Sequence, residues 1–421
     1  MRTSTPEVAS SAKPRIIRTN VVYLSSVFTN VAHKQLVRVD LPTMGSNQHE
    51  LNGVSALKDF FETDEPVRGK LTWHYFADDQ EPVKEDGLFT FYDARARSSS
   101  RTGRTEWRFY YYGNFLATAN VGDWFFLARS RSGQLFGLIF DRGSAWLRAA
   151  QALFDVKITQ PSFGSLSHET LDNQQLELLR RQILSELELE VTIPSKQADE
   201  ELMLNKYGKR FPSTREMSAF ARSQIEVDAY RPDEALVGWL NREEELFRAL
   251  ENVIIGERLA TGFSNVDDFI EYSLSVQNRR KARMGFALQN HLTEIFRFAG
   301  LRFTAQARTE GNNRPDFIFP GQDEYHDPSF NDNLLVMLGV KSTSKDRWRQ
   351  VLDEADRILE KHLCTLEAGI STKQTAAMNS RKLTLVIPVT LHSTYTHAQL
   401  TSIMTIESFI ELVRHKQQNG A

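Results

Sequence analysis

Cysteine is nearly absent: the 421 residues hold one, Cys364. A single thiol forms no internal disulfide and builds no thiolate zinc site, and a reducing compartment suits it. Its setting, Lys361-His362-Leu363-Cys364-Thr365-Leu366, reads as the end of a helix, with the thiol a buried small hydrophobe rather than a nucleophile. Long apolar runs are missing too. No stretch approaches the roughly 20 apolar residues that span a bilayer. Met1 to Asn20 is polar, without the apolar segment of a signal peptide, so a cytoplasmic protein with no membrane partner is expected. Excess charge is also lacking. Against 54 Asp+Glu stand 51 Lys+Arg, a net charge of −3. That balance excludes a generally basic nucleic-acid binder and leaves room for a local basic groove.

What is present is apolar and aromatic enough to fold, 41% and 10% of the chain. The length exceeds one ordinary core, which predicts two domains. Residues 16–140 are rich in short β-like runs separated by Gly, Asp, Asn and Ser, among them Leu36–Leu41, Leu71–Tyr75, Glu106–Tyr112, Trp124–Leu127 and Leu135–Phe140. Many short strands with turn signals between them suggest a barrel or a sandwich. From about 170 the texture changes. Gln174–Glu190 is acidic and helical, Pro194 interrupts it, and a polar stretch follows. The reading is a mainly β domain over 1–180, a linker over 181–210 and a second domain over 211–421. Helical patterns cover Glu234–Asn252, Val266–Ser275 and Arg283–Ala299. Strand-like runs follow at Leu301–Ala305, Phe317–Phe319, Leu334–Val340 and Leu383–Pro388, with a helix expected over Asp346–Leu363. The second domain is therefore mixed α/β, a central sheet flanked by helices.

The densest chemical signal lies between 314 and 355. Arg314-Pro315-Asp316 puts a carboxylate at the mouth of a short apolar strand, and a second strand delivers Lys341 at its polar end. Trp348, Val351, Leu352, Ala355, Ile358 and Leu359 recur at helical spacing. Docking that face on the sheet would bring Glu354 towards Asp316 and Lys341. Two carboxylates and an ammonium at a strand end suit phosphodiester hydrolysis. Hard oxygens hold Mg²⁺ with water positions left open, the metal activates water and polarises the phosphate, and the lysine stabilises developing charge. A bland alternative stands beside this: a Pro-Asp pair with a distant lysine is common, and Glu354 reads equally as a solvated helix residue. Ser344-Lys345-Asp346-Arg347-Trp348-Arg349-Gln350 adds three cations and a Gln at one helix start, a composition suited to phosphates and guanine edges.

From about Arg279 to the end the chain resembles the C-terminal catalytic domain of the EcoRII-type restriction endonucleases, within the PD-(D/E)XK nuclease superfamily. Carrying the resemblance are Asn278-Arg279-Arg280-Lys281, Thr309-Glu310-Gly311-Asn312, Arg314-Pro315-Asp316, Tyr325-His326-Asp327 and the run from Val340-Lys341 to Glu354-Ala355-Asp356. The resemblance implies a restriction-endonuclease α/β fold, with Asp316 and Glu354 as metal-binding carboxylates for Mg²⁺, Lys341 as the catalytic lysine and Tyr325 as an active-site tyrosine. The superfamily usually places the second acid two residues before the lysine; that position is Gly339 here, so Glu354 would replace it in space. Lys345, Asp346 and Arg347 match the segment that reads CC/GG base pairs in the major groove, Arg347 donating to guanine and Asp346 accepting from cytosine. Lys345 stands open between a base and the scissile phosphate, and Lys281 between a DNA contact and a surface lysine.

The first domain resembles the EcoRII effector-binding domain, a β-barrel-like DNA-binding fold, through His33 and Arg104-Thr105-Glu106-Trp107-Arg108. Arg104, Glu106 and Arg108 alternate, so a strand would set them on one face. A glutamate between arginines suits base reading, and cross-strand ion pairing on an exposed hairpin is the competing explanation. Trp107 stands where the family has a basic residue. Together these readings imply a sequence-specific, Mg²⁺-dependent double-strand endonuclease acting as a homodimer on a CC(A/T)GG-like site. A second DNA copy would bind the first domain through His33, Arg104, Glu106 and Arg108 and control cleavage. The alternative is a non-catalytic DNA-binding regulator on a nuclease scaffold. Retention of Asp316, Lys341 and Glu354 together speaks against that.

Overall fold

The computed structural model describes residues 28–42, 49–51, 56–63, 65–78, 80, 82–96, 105–154, 164–165, 197–228, 230–342, 348–367 and 370–419. The first region holds strands β1 (Phe28–Gln35), β2 (Glu50–Leu51), β3 (Val67–Phe76), β4 (Val83–Asp93), β5 (Trp107–Tyr111), β6 (Trp124–Ser130), β7 (Leu135–Phe140) and β8 (Gly164–Ser165), with helices α1 (Ala56–Phe61) and α2 (Ala145–Phe154). They form one sheet in the order β2-β5-β4-β3-β7-β6-β1-β8. Only β3–β7 is parallel among its pairings. The two end strands are the two-residue β2 and β8 and do not pair with each other among the described residues. The expected barrel is thus an open, curled half-barrel.

Strand periodicity explains its two cores. Along β6, Trp124, Phe126 and Ala128 pack on one face while Phe125 and Leu127 pack on the other. Both faces are buried, which is why this strand reads as an unbroken apolar run. Expected as a strand, Leu36–Leu41 instead contains a 3-10 turn at Arg38–Asp40. Buried Asp40 accepts from its own Val37 N–H at 2.9 Å and from Lys34 Nζ at 2.7 Å, and this local bonding competes with a ladder.

The second region opens with α3 (Gln197–Tyr207), α4 (Thr214–Ser223), α5 (Pro232–Thr261) and α6 (Val266–Phe298). The part of the expected linker that is described, from 197 on, is helix α3, because Met203 packs with Leu246 and Leu250 of α5 and Arg242 pairs with Asp199 at 2.7 Å. Gln174–Glu190 lies outside the described residues. Two helical patterns expected between 266 and 299 join into the single α6. There follow β9 (Thr304–Ala305), β10 (Phe317–Phe319), α7 (Gln322–His326), β11 (Val336–Lys341), α8 (Trp348–Leu352), β12 (Lys361–Thr365), α9 (Thr372–Ser380), β13 (Leu383–Val386), α10 (His397–Leu400) and α11 (Ile406–Asn419). Their sheet runs β13-β12-β11-β10-β9, parallel from β11 to β13 and antiparallel at β9–β10–β11. It is the mixed sheet expected.

The helix expected over 346–363 is the main local departure. Its described part ends at Leu352, and Lys361–Thr365 is a central strand. Ala355 adopts φ 54°, in the left-handed region, which ends the helical path. Trp348, Val351, Ala355 and Ile358 are buried as the apolar stripe implied, whereas Leu359 is 73% exposed. Cys364 is a buried residue of β12, and burial pushes its thiol up. No helix among the described residues is long and apolar enough to cross a membrane.

Candidate active site

The register of two strands brings the central groups together. β10 runs antiparallel to β11, with Phe317 opposite Leu338, so the residue entering β10 lies beside the residues leaving β11. Asp316 is that entering residue, and its Oδ2 accepts the Val340 N–H at 2.7 Å. Lys341, the last residue of β11, places Nζ 3.7 Å from the same oxygen. The other oxygen, Oδ1, accepts from the Gln306 side-chain amide at 2.8 Å.

Glu354 arrives from the other side of β11. A Cβ at Gly339 would meet both methyls of Val351 at 3.0 Å, so the bare glycine is what lets α8 lie flat on the strand. The position where an acid is usual is thus filled by the neighbouring helix, and the turn after that helix carries Glu354. Its carboxylate lies within electrostatic reach of both Asp316 and Lys341. Burial pushes the Glu354 carboxyl up; Lys341 opposes this and Asp316 adds to it. Burial likewise raises Asp316, against the pull of Lys341 and its own hydrogen bonds. Among the described residues the buried Glu354 Oε2 has no hydrogen-bond partner.

A buried carboxylate oxygen without a partner is costly unless something positive meets it. Two hard oxygen donors that burial disfavours as anions suit a divalent cation that keeps several of its waters. Among the described residues no group of three or more His, Cys, Asp or Glu side chains is assembled for a metal, so these two carboxylates would hold one together with solvent or substrate oxygens.

A cleft of about 1070 Å³ reaches the site at Asp316. Asp316, Val340 and Ser342 lie on one side, and α4 and α6 form the walls with Arg215, Arg222 and Lys281. Lys281 is exposed on the cleft wall. Arg222 is held in place, its Nη1 3.2 Å from His291 Nδ1, while His291 Nε2 lies 3.0 Å from the buried Glu243.

Tyr325 is set apart from the acids. Its buried hydroxyl donates to the Glu310 carboxylate at 2.6 Å and accepts the Arg357 N–H at 3.4 Å. Burial, followed by the bond to Glu310, raises its phenol. Glu310, Asn313, Arg357 and Lys361 surround the turn that bears Glu354, and sequence reading gave them no role. Their run Asp356–Lys361 looks like more of the amphipathic helix, and nothing in the composition of Ala355 signals a left-handed turn. Lys345, Asp346 and Arg347 lie outside the described residues.

In the first region Glu106 and Arg108 do lie together, at the start of β5. Arg108 Nη2 meets Glu106 Oε1 at 2.7 Å and Arg95 Nε meets Oε2 at 2.5 Å. Arg108 Nη1 also reaches Glu50 at 2.6 Å, and Tyr92 donates to the same carboxylate at 2.7 Å. The hydrogen bonds from Arg108 and Arg95 hold the Glu106 carboxyl below its usual range. His33 is distant in the sheet order, on β1, its ring tilted against those of Trp124 and Phe126 at 5.8 and 5.6 Å, and burial lowers its imidazole. Arg104 lies outside the described residues.

Comparison with known proteins finds similarity over the same region. Residues 247–410 match the family model described as EcoRII C terminal. The type II restriction enzyme EcoRII of Escherichia coli is 43% identical over 202 residues, 48% of this chain and 50% of that protein. The match thus spans about half the length of that relative. Among solved structures, metal-depleted Ecl18kI in complex with uncleaved, modified DNA aligns with a TM-score of 0.43 and 16% identity, covering 52% of this chain and 84% of that one. The restriction endonuclease PspGI–substrate DNA complex aligns at 0.41 and 15%, covering 52% and 96%.

Proposed function

We propose that this chain, whose residues 247–410 match the EcoRII C-terminal family model, is a type II restriction endonuclease cutting both strands of DNA at a specific site with Mg²⁺ as cofactor. The observation that carries the reading is the convergence of Asp316, Lys341 and Glu354 at the ends of β10, β11 and α8, inside residues 247–410, which match the EcoRII C-terminal family model.

Asp316 and Glu354 would hold the cation, which supplies a polarised phosphate and a more acidic water when bound. The backbone N–H of Val340 and the Gln306 amide orient Asp316 before any ligand arrives. Lys341 lies at 3.7 Å from Asp316, beyond a tight ion pair, which leaves its ammonium available for the charge that builds on the phosphate oxygens. Tyr325 serves this site through Glu310 and the Arg357 N–H rather than by touching substrate. Arg215, Arg222 and Lys281 on the cleft wall suit the DNA backbone. Lys345, Asp346 and Arg347 would read a CC(A/T)GG-like sequence, Arg347 on guanine and Asp346 on cytosine, with Lys345 on a base or the scissile phosphate. Two chains would pair across the near-palindromic site. A further DNA copy would bind the first region through His33, Arg104, Glu106 and Arg108 and regulate cutting.

Incubation with a multi-site plasmid in Mg²⁺ or in EDTA, with run-off sequencing of the ends, tests this. Discrete Mg²⁺-dependent ends sharing a short motif are expected. Binding without cutting, even with a site-bearing oligonucleotide added as effector, would instead establish a regulator on a nuclease scaffold.

A further inference from the structure

Glu354 has an oxygen with no hydrogen-bond partner among the described residues, so the backbone that carries it must fix where that oxygen points. That backbone is the turn over 353–358, with Ala355 in the left-handed region at φ 54°. An L residue there is held against its own preference. Side chains from elsewhere grip the turn. Lys361 Nζ donates to the carbonyls of Ala355 at 3.1 Å and Ile358 at 3.0 Å. Asn313 Nδ2 donates to the Asp353 carbonyl at 2.7 Å. Glu310 accepts the Asp356 N–H at 3.3 Å, and the Tyr325 hydroxyl accepts that of Arg357.

Lys361 stands out because it is 7% exposed. An ammonium buried in a sheet is expensive, and a turn needing only closure would be served by a neutral donor. Its two hydrogen-bond acceptors bracket the residues directly after Glu354. The carboxylates of Asp356, Glu354 and Glu310 also lie close enough to favour its charge. Asn313 grips the residue directly before Glu354 from the far side.

We propose that Lys361 and Asn313 are positioning residues that pin the turn from both sides, so that Glu354 presents its unpartnered oxygen to a divalent cation beside Asp316 and Lys341. This rests on the endonuclease reading, and outer contacts of this kind tune a metal site without touching the metal.

The test uses the full chain and Mn²⁺ alone, titrated without DNA and followed by electron paramagnetic resonance, beside the Mg²⁺ dependence of plasmid cutting and plasmid retention in EDTA. Lys361→Met is expected to weaken Mn²⁺ binding about 10- to 100-fold and to shift the Mg²⁺ requirement in step, while retention in EDTA stays as in the parent. Lys361→Arg, which keeps a charged donor, should recover part of the loss. A purely stabilising lysine would lower the melting temperature and leave Mn²⁺ affinity alone, and that result overturns the proposal. Should Lys361→Met lose cooperative unfolding, Asn313→Ala decides: weaker Mn²⁺ binding in a folded protein supports the clamp, and unchanged binding overturns it. A parent chain that neither binds Mn²⁺ nor cuts DNA would overturn the endonuclease reading itself, which variants matching an active parent would leave standing.

Discussion

Two groups of acids in this molecule are solved in opposite ways. Glu106 and Glu50 in the first region are answered by arginines at 2.5 to 2.7 Å, and Glu106 is held acidic. Asp316 and Glu354 in the second region share one lysine at a distance, and burial pushes both carboxyls up. A cluster that neutralises itself is at rest and must be opened by whatever it binds. A half-buried pair short of positive charge is poised for a cation, and it costs stability until one arrives. Under-compensated charge in a cleft is therefore the stronger mark of a site than the number of charges gathered there.

The largest effect should come from removing Lys341, the cation that Asp316 and Glu354 share among the described residues. Lys341→Ala is expected to lower cleavage by about 10²-fold or more while plasmid retention in EDTA stays near that of the parent; normal turnover would remove Lys341 from the mechanism. A smaller effect should follow from breaking the self-compensated cluster. Glu106→Ala removes the carboxylate that Arg95 and Arg108 share, so the protein should hold non-specific DNA more tightly and lose about tenfold or more discrimination between matched and mismatched effector duplexes. Unchanged discrimination with tighter binding overall would leave Glu106 as an ion-pair partner only.

The smallest effect sharpens the contrast through stability. A Glu354 carboxyl raised above its ordinary 4.5 keeps its proton in the folded chain where the unfolded chain has released it. Stability then falls as pH rises through that interval. Glu354→Gln should accordingly melt a few degrees higher than the parent at neutral pH in EDTA, with the gain gone in acid. Glu106 is shifted down instead, so its contribution is present above 4.5 and is lost as pH falls through its folded value. Glu106→Gln should melt lower at neutral pH. Both differences are read from thermal melts across a pH series, and shifts of the same sign would refute the contrast.

Much of the fold was legible because it rests on local pattern. The strands Leu71–Tyr75, Trp124–Leu127 and Leu135–Phe140 lie where alternation or continuous apolar character put them, and so do Phe317–Phe319 and Leu383–Val386. Of the candidate site, the neighbourhood of Asp316 and Lys341 was legible because each flanks an apolar run. Glu354 was legible only as a residue that docking would bring near. The run from Asp356 to Lys361 was misread because helical spacing describes which residues are buried, not how the chain turns between them. Trp348, Val351, Ala355 and Ile358 are buried as a helix would bury them, yet two backbone states divide them.

The sequence by itself determined which residues seek the interior and where carboxylate, lysine and glycine stand along the chain, because burial and strand alternation are properties of neighbours. Only the tertiary structure decided that Gly339 makes room for Val351, that the open sheet stops short of a barrel, and that Lys361 reaches back to hold the turn of Glu354. Those outcomes depend on contacts between segments far apart in the chain, where sheet register and the space left by a missing Cβ set the geometry, and no local pattern encodes either.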